Sequence, residues 1–330
     1  PIGLAICSVV AKTVPNMSEI DKNNFDKALL LSIAYAATIG GMSTLVGTAP
    51  NIVFSSFMQE VYGLEIFMDD WMKLGVPVSI CMLGLAWVIL TRVVYPVNFT
   101  ASDETKNTLS EMLSDMGPMS KDEFRVGIVF FIAVVLWMFR SLIDNYVIGL
   151  TDAGIAITVA IALFIIPSSG RNGELLAWEQ SSKLPWGLLL LFGGGLSLGV
   201  QINDTGLGLW IGQSLINLKT VPLVILVMSV AALIIFLTEV TSNVATTSTF
   251  LPVFGAVAVA VGVAPEVLTV PVVLAASCAF MLPVATPPNA IVYGANKFKI
   301  IDMMRAGFLI NIAGIFVVTI FAYYFAKVIF

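Results

Sequence analysis

The densest group of uncharged polar side chains runs from Thr238 to Thr249. There Thr238, Thr241, Ser242, Asn243, Thr246, Thr247, Ser248 and Thr249 interrupt a chain that is 58% hydrophobic. Hydroxyls and amides donate and accept hydrogen bonds without net charge, so they can hold an anion through donors and a small cation through oxygens. Apolar runs at 220–237 and 250–264 flank the cluster, each long enough for one arm of a helical hairpin. The expected shape is a re-entrant hairpin whose polar tip leaves helix-terminal amides and carbonyls unpaired, the first suited to an anion and the second to a cation. Ser and Thr also join helices in membrane bundles, so the cluster does not decide its own role.

A repeat gives it direction. Val46-Gly47-Thr48-Ala49-Pro50-Asn51-Ile52-Val53 matches Val284-Ala285-Thr286-Pro287-Pro288-Asn289-Ala290-Ile291. Each copy sits within a long apolar run, and the prolines Pro50 and Pro288 remove an amide donor and leave carbonyls free. Broken backbone is tolerated at membrane depth only where it lines a cavity or is buried in protein. Paired interruptions of this kind mark carriers built from two copies of one unit, with the binding elements in matching positions. Ahead of the second copy the polar cluster is followed by Leu251-Pro252-Val253, and Pro1-Ile2-Gly3 reads as the counterpart of Pro252-Val253-Phe254. The first copy's polar segment is therefore expected before Pro1. An opening inside an apolar stretch, with no basic region and cleavage site, reads as an interrupted start rather than a signal peptide.

The elements that must position these residues are helices in a bilayer. Only 11% of the 330 residues are charged, against about a quarter in soluble domains. Apolar runs of spanning length are expected at 28–46, 74–95, 123–143, 150–167, 185–203, 220–238, 249–264, 266–284 and 306–329. They lack the alternation of a membrane barrel, so the chain is read as all-α and polytopic. Following the spans from loop to loop puts twelve Lys and Arg on one side and four, Lys73, Arg140, Lys219 and Lys327, on the other; the richer side is cytoplasmic. Residues 98–122 read as a cytoplasmic linker.

With no histidine and only Cys7, Cys81 and Cys278, neither a zinc site nor a nucleophile-base pair can be assembled, and no enzyme is expected. Basic residues are nearly absent from the spans, so a bound dicarboxylate would rely on neutral donors, helix N-termini and co-bound cations, which points to sodium. Glu239 is the one acid placed for a proton relay; capping the hairpin arm is its structural alternative. Gly193-Gly194-Gly195 lacks the Lys-Ser/Thr of a phosphate loop and reads as close helix packing. The six tryptophans mostly fall near span ends, as interfacial anchors do.

Ala34-Tyr35-Ala36-Ala37-Thr38-Ile39-Gly40-Gly41 through Asn51, Thr238-Glu239-Val240-Thr241-Ser242-Asn243-Val244, and Ser277-Cys278-Ala279-Phe280-Met281-Leu282-Pro283-Val284-Ala285-Thr286-Pro287-Pro288-Asn289-Ala290 closely resemble the divalent anion/sodium symporter family. The resemblance covers essentially the whole chain. It implies inverted repeats with re-entrant hairpins and broken helices, divided into a scaffold and an elevator-type transport domain, in a homodimer of the plasma membrane that contacts lipid and no nucleic acid. Residues 1–73 would be the remainder of the first repeat, 74–97 a scaffold helix, and 123–184 the second-repeat scaffold helices. Residues 185–305 would form the second-repeat transport domain, with the hairpin at 220–264 and the broken helix at 266–296, and 306–330 a C-terminal helix.

By the same resemblance Ser242, Asn243 and Val244, with Thr286, Pro287 and Thr48, would contact a carboxylate. One Na+ would be held by Thr238, Thr241, Asn243 and Ala285, and another by Gly47 with residues ahead of Pro1. Pro50, Asn51, Pro288 and Asn289 complete the structural motif. Val244 stands where a threonine is common and removes a hydroxyl donor, which bears on the choice among succinate, malate, fumarate and citrate. A sodium-independent dicarboxylate exchanger and a sulfate carrier are the alternatives on the same fold.

Overall fold

The structure, a computed structural model, describes residues 2–14, 17–99, 103–115, 117–143, 150–169, 173–179 and 221–330, with isolated positions between 194 and 210. Most of the expected span at 185–203 lies outside these residues. Among the described residues the regular elements are all helical. They form two compact units, one of Pro1–Ile66, Asp70–Ser110 and Leu190–Phe330, the other of Phe67–Asp69 and Glu111–Leu189.

In the first unit α1 (Ile2–Thr13) packs on α2 (Glu19–Gly41). Ser18 starts α2, its hydroxyl accepting from the Asp21 amide at 3.0 Å, and Glu19 and Asp21 complement the positive end of the helix dipole. The helix breaks across Met42–Thr48 and resumes as α3 (Ala49–Tyr62), which opens on Pro50 and stops at Gly63 with φ 67°. Next come α4 (Met68–Val88), running on through a π-helical turn at Ile89–Val94, and α5 (Asp103–Asp115). Helix α5 lies inside the segment expected as a linker. Its Leu109, Met112 and Leu113 have helical spacing, and Thr105, buried near its start, shares a 2.6 Å hydrogen bond with Thr13 of α1.

The second copy follows the same plan. Helices α9 (Leu223–Thr238) and α10 (Asn243–Val261) form the expected hairpin. Helix α10 begins earlier than the apolar pattern suggested. Thr246, Thr247 and Ser248 lie buried inside it, with the Thr247 hydroxyl returned to the Asn243 carbonyl at 2.8 Å, so the tip narrows to Glu239–Ser242. Helix α11 (Glu266–Ala276) breaks across Ser277–Thr286, α12 (Pro287–Tyr293) resumes it, and α13 (Ile300–Ile329) closes the unit.

The helices that follow the two breaks, α4 and α13, run antiparallel. Trp71 near the start of α4 stacks on Phe330 at the end of α13, their ring centres 6.2 Å apart. Met82 reaches Gly314 midway, 3.4 Å from where a Cβ would stand. Tyr95, beyond the π turn, donates to the Asp302 carbonyl near the start of α13 at 2.7 Å. Equivalent helices passing in opposite directions are what an inverted-topology repeat requires. Ion pairs close the same end of the unit as Tyr95, Lys27 with Asp302 at 2.9 Å and Lys297 with Asp26 at 3.2 Å. By length and composition Met68–Val94, Asn243–Val261 and Ile300–Ile329 are able to cross a bilayer; α3, α11 and α12 are shorter because the breaks divide them, and α2 is long enough but polar in its first turns.

In the second unit α6 (Lys121–Met138) starts on a Ser120/Glu123 capping box and packs on α8 (Asp152–Ile165), with the four-residue α7 (Arg140–Ile143) between them. Arg140 is buried at this junction, donating to the Leu150 carbonyl at 2.9 Å and pairing with Asp152 at 3.3 Å.

Candidate functional site

The two breaks are tied by the same side chain in the same way. Asn289 donates its amide to the carbonyls of Leu282 and Ala279, seven and ten residues upstream, each at 3.1 Å. Asn51 donates to Thr44 and Gly41, again seven and ten residues upstream, at 2.8 and 3.5 Å. Both asparagines are fully buried. Each therefore satisfies two of the carbonyls that its proline and the break leave without helical partners. Thr286 caps α12, accepting from the Asn289 amide at 3.4 Å, and Thr48 occupies the same extended cap conformation at the start of α3.

The following helix approaches each break closely. Gly75, eighth in α4, lies where a Cβ would stand 2.6 Å from the Met42 carbonyl; Gly307, eighth in α13, lies where a Cβ would run into the Phe280 carbonyl. Met42 and Phe280 are themselves counterparts, each nine residues before its asparagine. The Met42 carbonyl accepts from the Trp71 indole at 3.0 Å, and the Phe280 carbonyl from the Tyr35 hydroxyl at 2.8 Å.

Glu239 is the C-cap residue of α9, as one of its two expected roles had it, but its side chain serves another element. Its carboxylate reaches across to the second break and accepts from the amides of Phe280 at 2.8 Å, Met281 at 2.9 Å and Leu282 at 3.1 Å, and from the Asn311 side chain at 2.7 Å. Three successive amides aimed at one carboxylate cannot also make helical bonds, which keeps this backbone open. A fully engaged acid of this kind is poorly placed to shuttle protons.

Of the expected cation ligands, Thr238 and Asn243 meet directly. The Thr238 hydroxyl lies 2.7 Å from the side-chain Oδ1 of Asn243 and 2.9 Å from the Ala276 carbonyl, where α11 ends. The hairpin tip thus sits on the start of the second break. The Thr241 hydroxyl bonds to Leu237 and Thr246, and Ala285 lies in the same break. Ser242 and Pro287 are exposed, Asn243 and Ala285 half-buried and Val244 buried. Gly47 and Thr48 lie at the first break, where Gly47 packs against Gly41 so closely that a Cβ on either would collide with the other's backbone. Among the described residues no hydrogen bond joins this pair to the hairpin tip. Tyr35, Trp71, Asn311 and the glycines of α4 and α13 were missed from sequence; the matched spacing from each break to its following glycine is the one signal that would have found any of them.

The class defined by this architecture is an all-α, multi-pass membrane protein organised around two inverted broken helices. The family described as "Sodium:sulfate symporter transmembrane region" matches residues 2–330, and the chain belongs to it. It is 37% identical over 330 residues to the sodium-dependent dicarboxylate transporter SdcS of Staphylococcus saprophyticus, covering 98% of this chain and 64% of that one. It is likewise 37% identical over 337 residues to the SdcS of Staphylococcus aureus strain MRSA252, covering 100% of this chain and 64% of that one. The chain therefore spans 64% of the length of these curated relatives. Family membership places the chain in a multi-pass protein of the plasma membrane.

Proposed function

We propose that the protein carrying this chain is a secondary carrier that moves a dicarboxylate across the plasma membrane together with sodium. The observation that carries the reading is the juxtaposition at the second break of Thr238, Asn243 and the Ala276 carbonyl with a hairpin tip free of basic residues. Neutral oxygens of Thr238, Asn243 and Ala276 converge there, the kind of ligand that suits a small dehydrated cation. The exposed Ser242 and the hydroxyl of Thr286 at a helix start offer donors to an anion beside it, with the apolar ring of Pro287 exposed next to them. The names of the relatives, sodium-dependent dicarboxylate transporters, support both halves of the reading.

On this reading Thr238, Thr241, Asn243 and Ala285 hold one Na+, and Gly47 contributes to another. Ser242, Asn243, Val244, Thr286, Pro287 and Thr48 face the carboxylate. The substrate is succinate, malate, fumarate or citrate. The carrier works as a lipid-embedded homodimer by an elevator movement of the part that holds the breaks. The family's description favours sulfate as the rival substrate, and competition separates the two. Uptake of labelled succinate into proteoliposomes containing the full-length protein is expected to require an inward sodium gradient, to resist sulfate and to fail in Asn243→Ala. Uptake indifferent to sodium replaces the symporter with an exchanger, and uptake displaced by sulfate but not by succinate replaces the substrate.

A further inference from the structure

The second break is braced from the opposite repeat. Phe280, in the second break, is gripped on both sides of its Cα: its amide donates to Glu239 at 2.8 Å and its carbonyl accepts from Tyr35 at 2.8 Å. Tyr35 belongs to α2, in the first repeat. It is 1% exposed, its hydroxyl also lies 3.4 Å from the Met303 carbonyl, and its ring meets that of Phe280 edge-on at 5.2 Å. From Tyr35, α2 continues without interruption to Gly41, whose carbonyl accepts from Asn51. The hairpin tip of one repeat is thereby joined to the break of the other through hydrogen bonds and continuous helix alone. The reciprocal brace is weaker in kind. Trp71 holds the Met42 carbonyl from within the first repeat, and only the stack of Phe330 on its ring comes from the second.

We propose that Tyr35 is a positioning residue that couples the two cation-binding halves, so that filling one break favours filling the other. This rests on the sodium-coupled reading. A cation that drew the carbonyls of the second break into place would fix the Phe280 peptide, and through the Tyr35 hydroxyl would hold α2 and the Gly41 carbonyl in the geometry the first break needs. A single buried hydrogen bond links two arrangements that would otherwise settle independently, and coupling between sites of this kind is reciprocal. Tyr35 touches neither ion nor substrate in this scheme, so its removal should alter how sodium is sensed more than how the anion is bound.

The test is the sodium dependence of labelled succinate uptake by the full-length protein in proteoliposomes, compared among wild type, Tyr35→Phe and Tyr95→Phe. Tyr95 also donates a hydroxyl to a carbonyl of α13, at Asp302, beside the Met303 carbonyl that Tyr35 approaches, but it bonds to neither break and so controls for general loosening of this helix end. Tyr35→Phe is expected to flatten a sigmoidal sodium curve and raise half-saturating sodium about fivefold, the scale of one lost hydrogen bond. Its KM for succinate at saturating sodium should change less than about twofold on the same scale, and Tyr95→Phe should superimpose on wild type. A Tyr35→Phe curve that matches wild type overturns the proposal. So does an equal rise in the succinate KM, or the same shift in Tyr95→Phe. If wild-type uptake ignores sodium, the symporter reading itself falls and this proposal falls with it, an outcome visible in the wild-type curve alone. Should Tyr35→Phe be too inactive for uptake, thermal stabilisation of the purified protein by sodium is read instead. A steep sodium dependence in wild type that becomes shallow in the variant supports coupling, and equal dependence contradicts it.

Discussion

The first and second breaks are the same motif held open by different means. At Ser277–Thr286 the backbone is prised out of the helix by Glu239, an acceptor delivered from another element, and small side chains such as Ala279 and Ala285 suffice. At Met42–Thr48 the described residues show no such carboxylate. The chain folds back on itself until Gly41 and Gly47 touch, and the Trp71 indole caps Met42. The asparagine at the end of each break is common to both. What the comparison teaches is that the repeat preserves the outcome, loop carbonyls released from helical bonding, while the supports are free to diverge.

The largest expected effect falls on the support peculiar to the second break. Glu239→Ala leaves three buried amides and Asn311 without their acceptor and is expected to cost about 3–5 kcal/mol. Glu239→Gln, which still accepts but presents an NH2 to one amide, should fall between. Thermal unfolding in detergent measures both, and a Glu239→Ala protein as stable as wild type would remove the carboxylate from the account. Next comes the support peculiar to the first break. Gly47→Ala should cost about 1–3 kcal/mol, since the backbone of Gly41 has to move aside, whereas Ala285→Gly at the matching position should cost about 1 kcal/mol or less. Equal losses would erase the distinction between a tightly folded break and a looser one.

The shared support provides the converse test. Asn51→Ala and Asn289→Ala each strand two carbonyls and should destabilise alike, by about 2 kcal/mol. A large inequality would mean that the matched hydrogen bonds do different work.

The smallest effect concerns the end of the unit that Lys27 and Asp302 close with their 2.9 Å ion pair. Lys27→Met removes one partner of this pair and should cost about 1 kcal/mol or less in thermal unfolding, while leaving the response of both breaks to sodium unchanged.

How much of this was legible in the sequence follows from the range of each interaction. The breaks, the hairpin and the residues Thr48, Asn51, Thr286 and Asn289 were readable because proline, asparagine and polarity within a few residues dictate them. Glu239 was noticed, but its role was not, because the amides that it holds lie 41 to 43 residues away and no local pattern announces them. Trp71 read as an interfacial anchor and Tyr35 as one residue of the resembling stretch, with no role of its own; their importance lies in where an N–H or O–H ends, which packing alone decides. Helix α5 was hidden in a polar segment whose charge outweighed its short apolar stripe. The start of α10 was hidden for a related reason, since hydroxyls that return to their own helix carbonyls make a buried helix look like a loop.

The central claim is that both breaks belong to one sodium-coupled site. Val46 and Val284 are counterparts in the two loops, 43% and 84% exposed. Cysteine placed at either, in a full-length protein with its native cysteines replaced, allows both breaks to be followed by the rate of maleimide labelling. The account predicts that sodium with succinate slows labelling at both positions and that potassium with succinate slows neither. Protection at one position only, or protection indifferent to the cation, would contradict it.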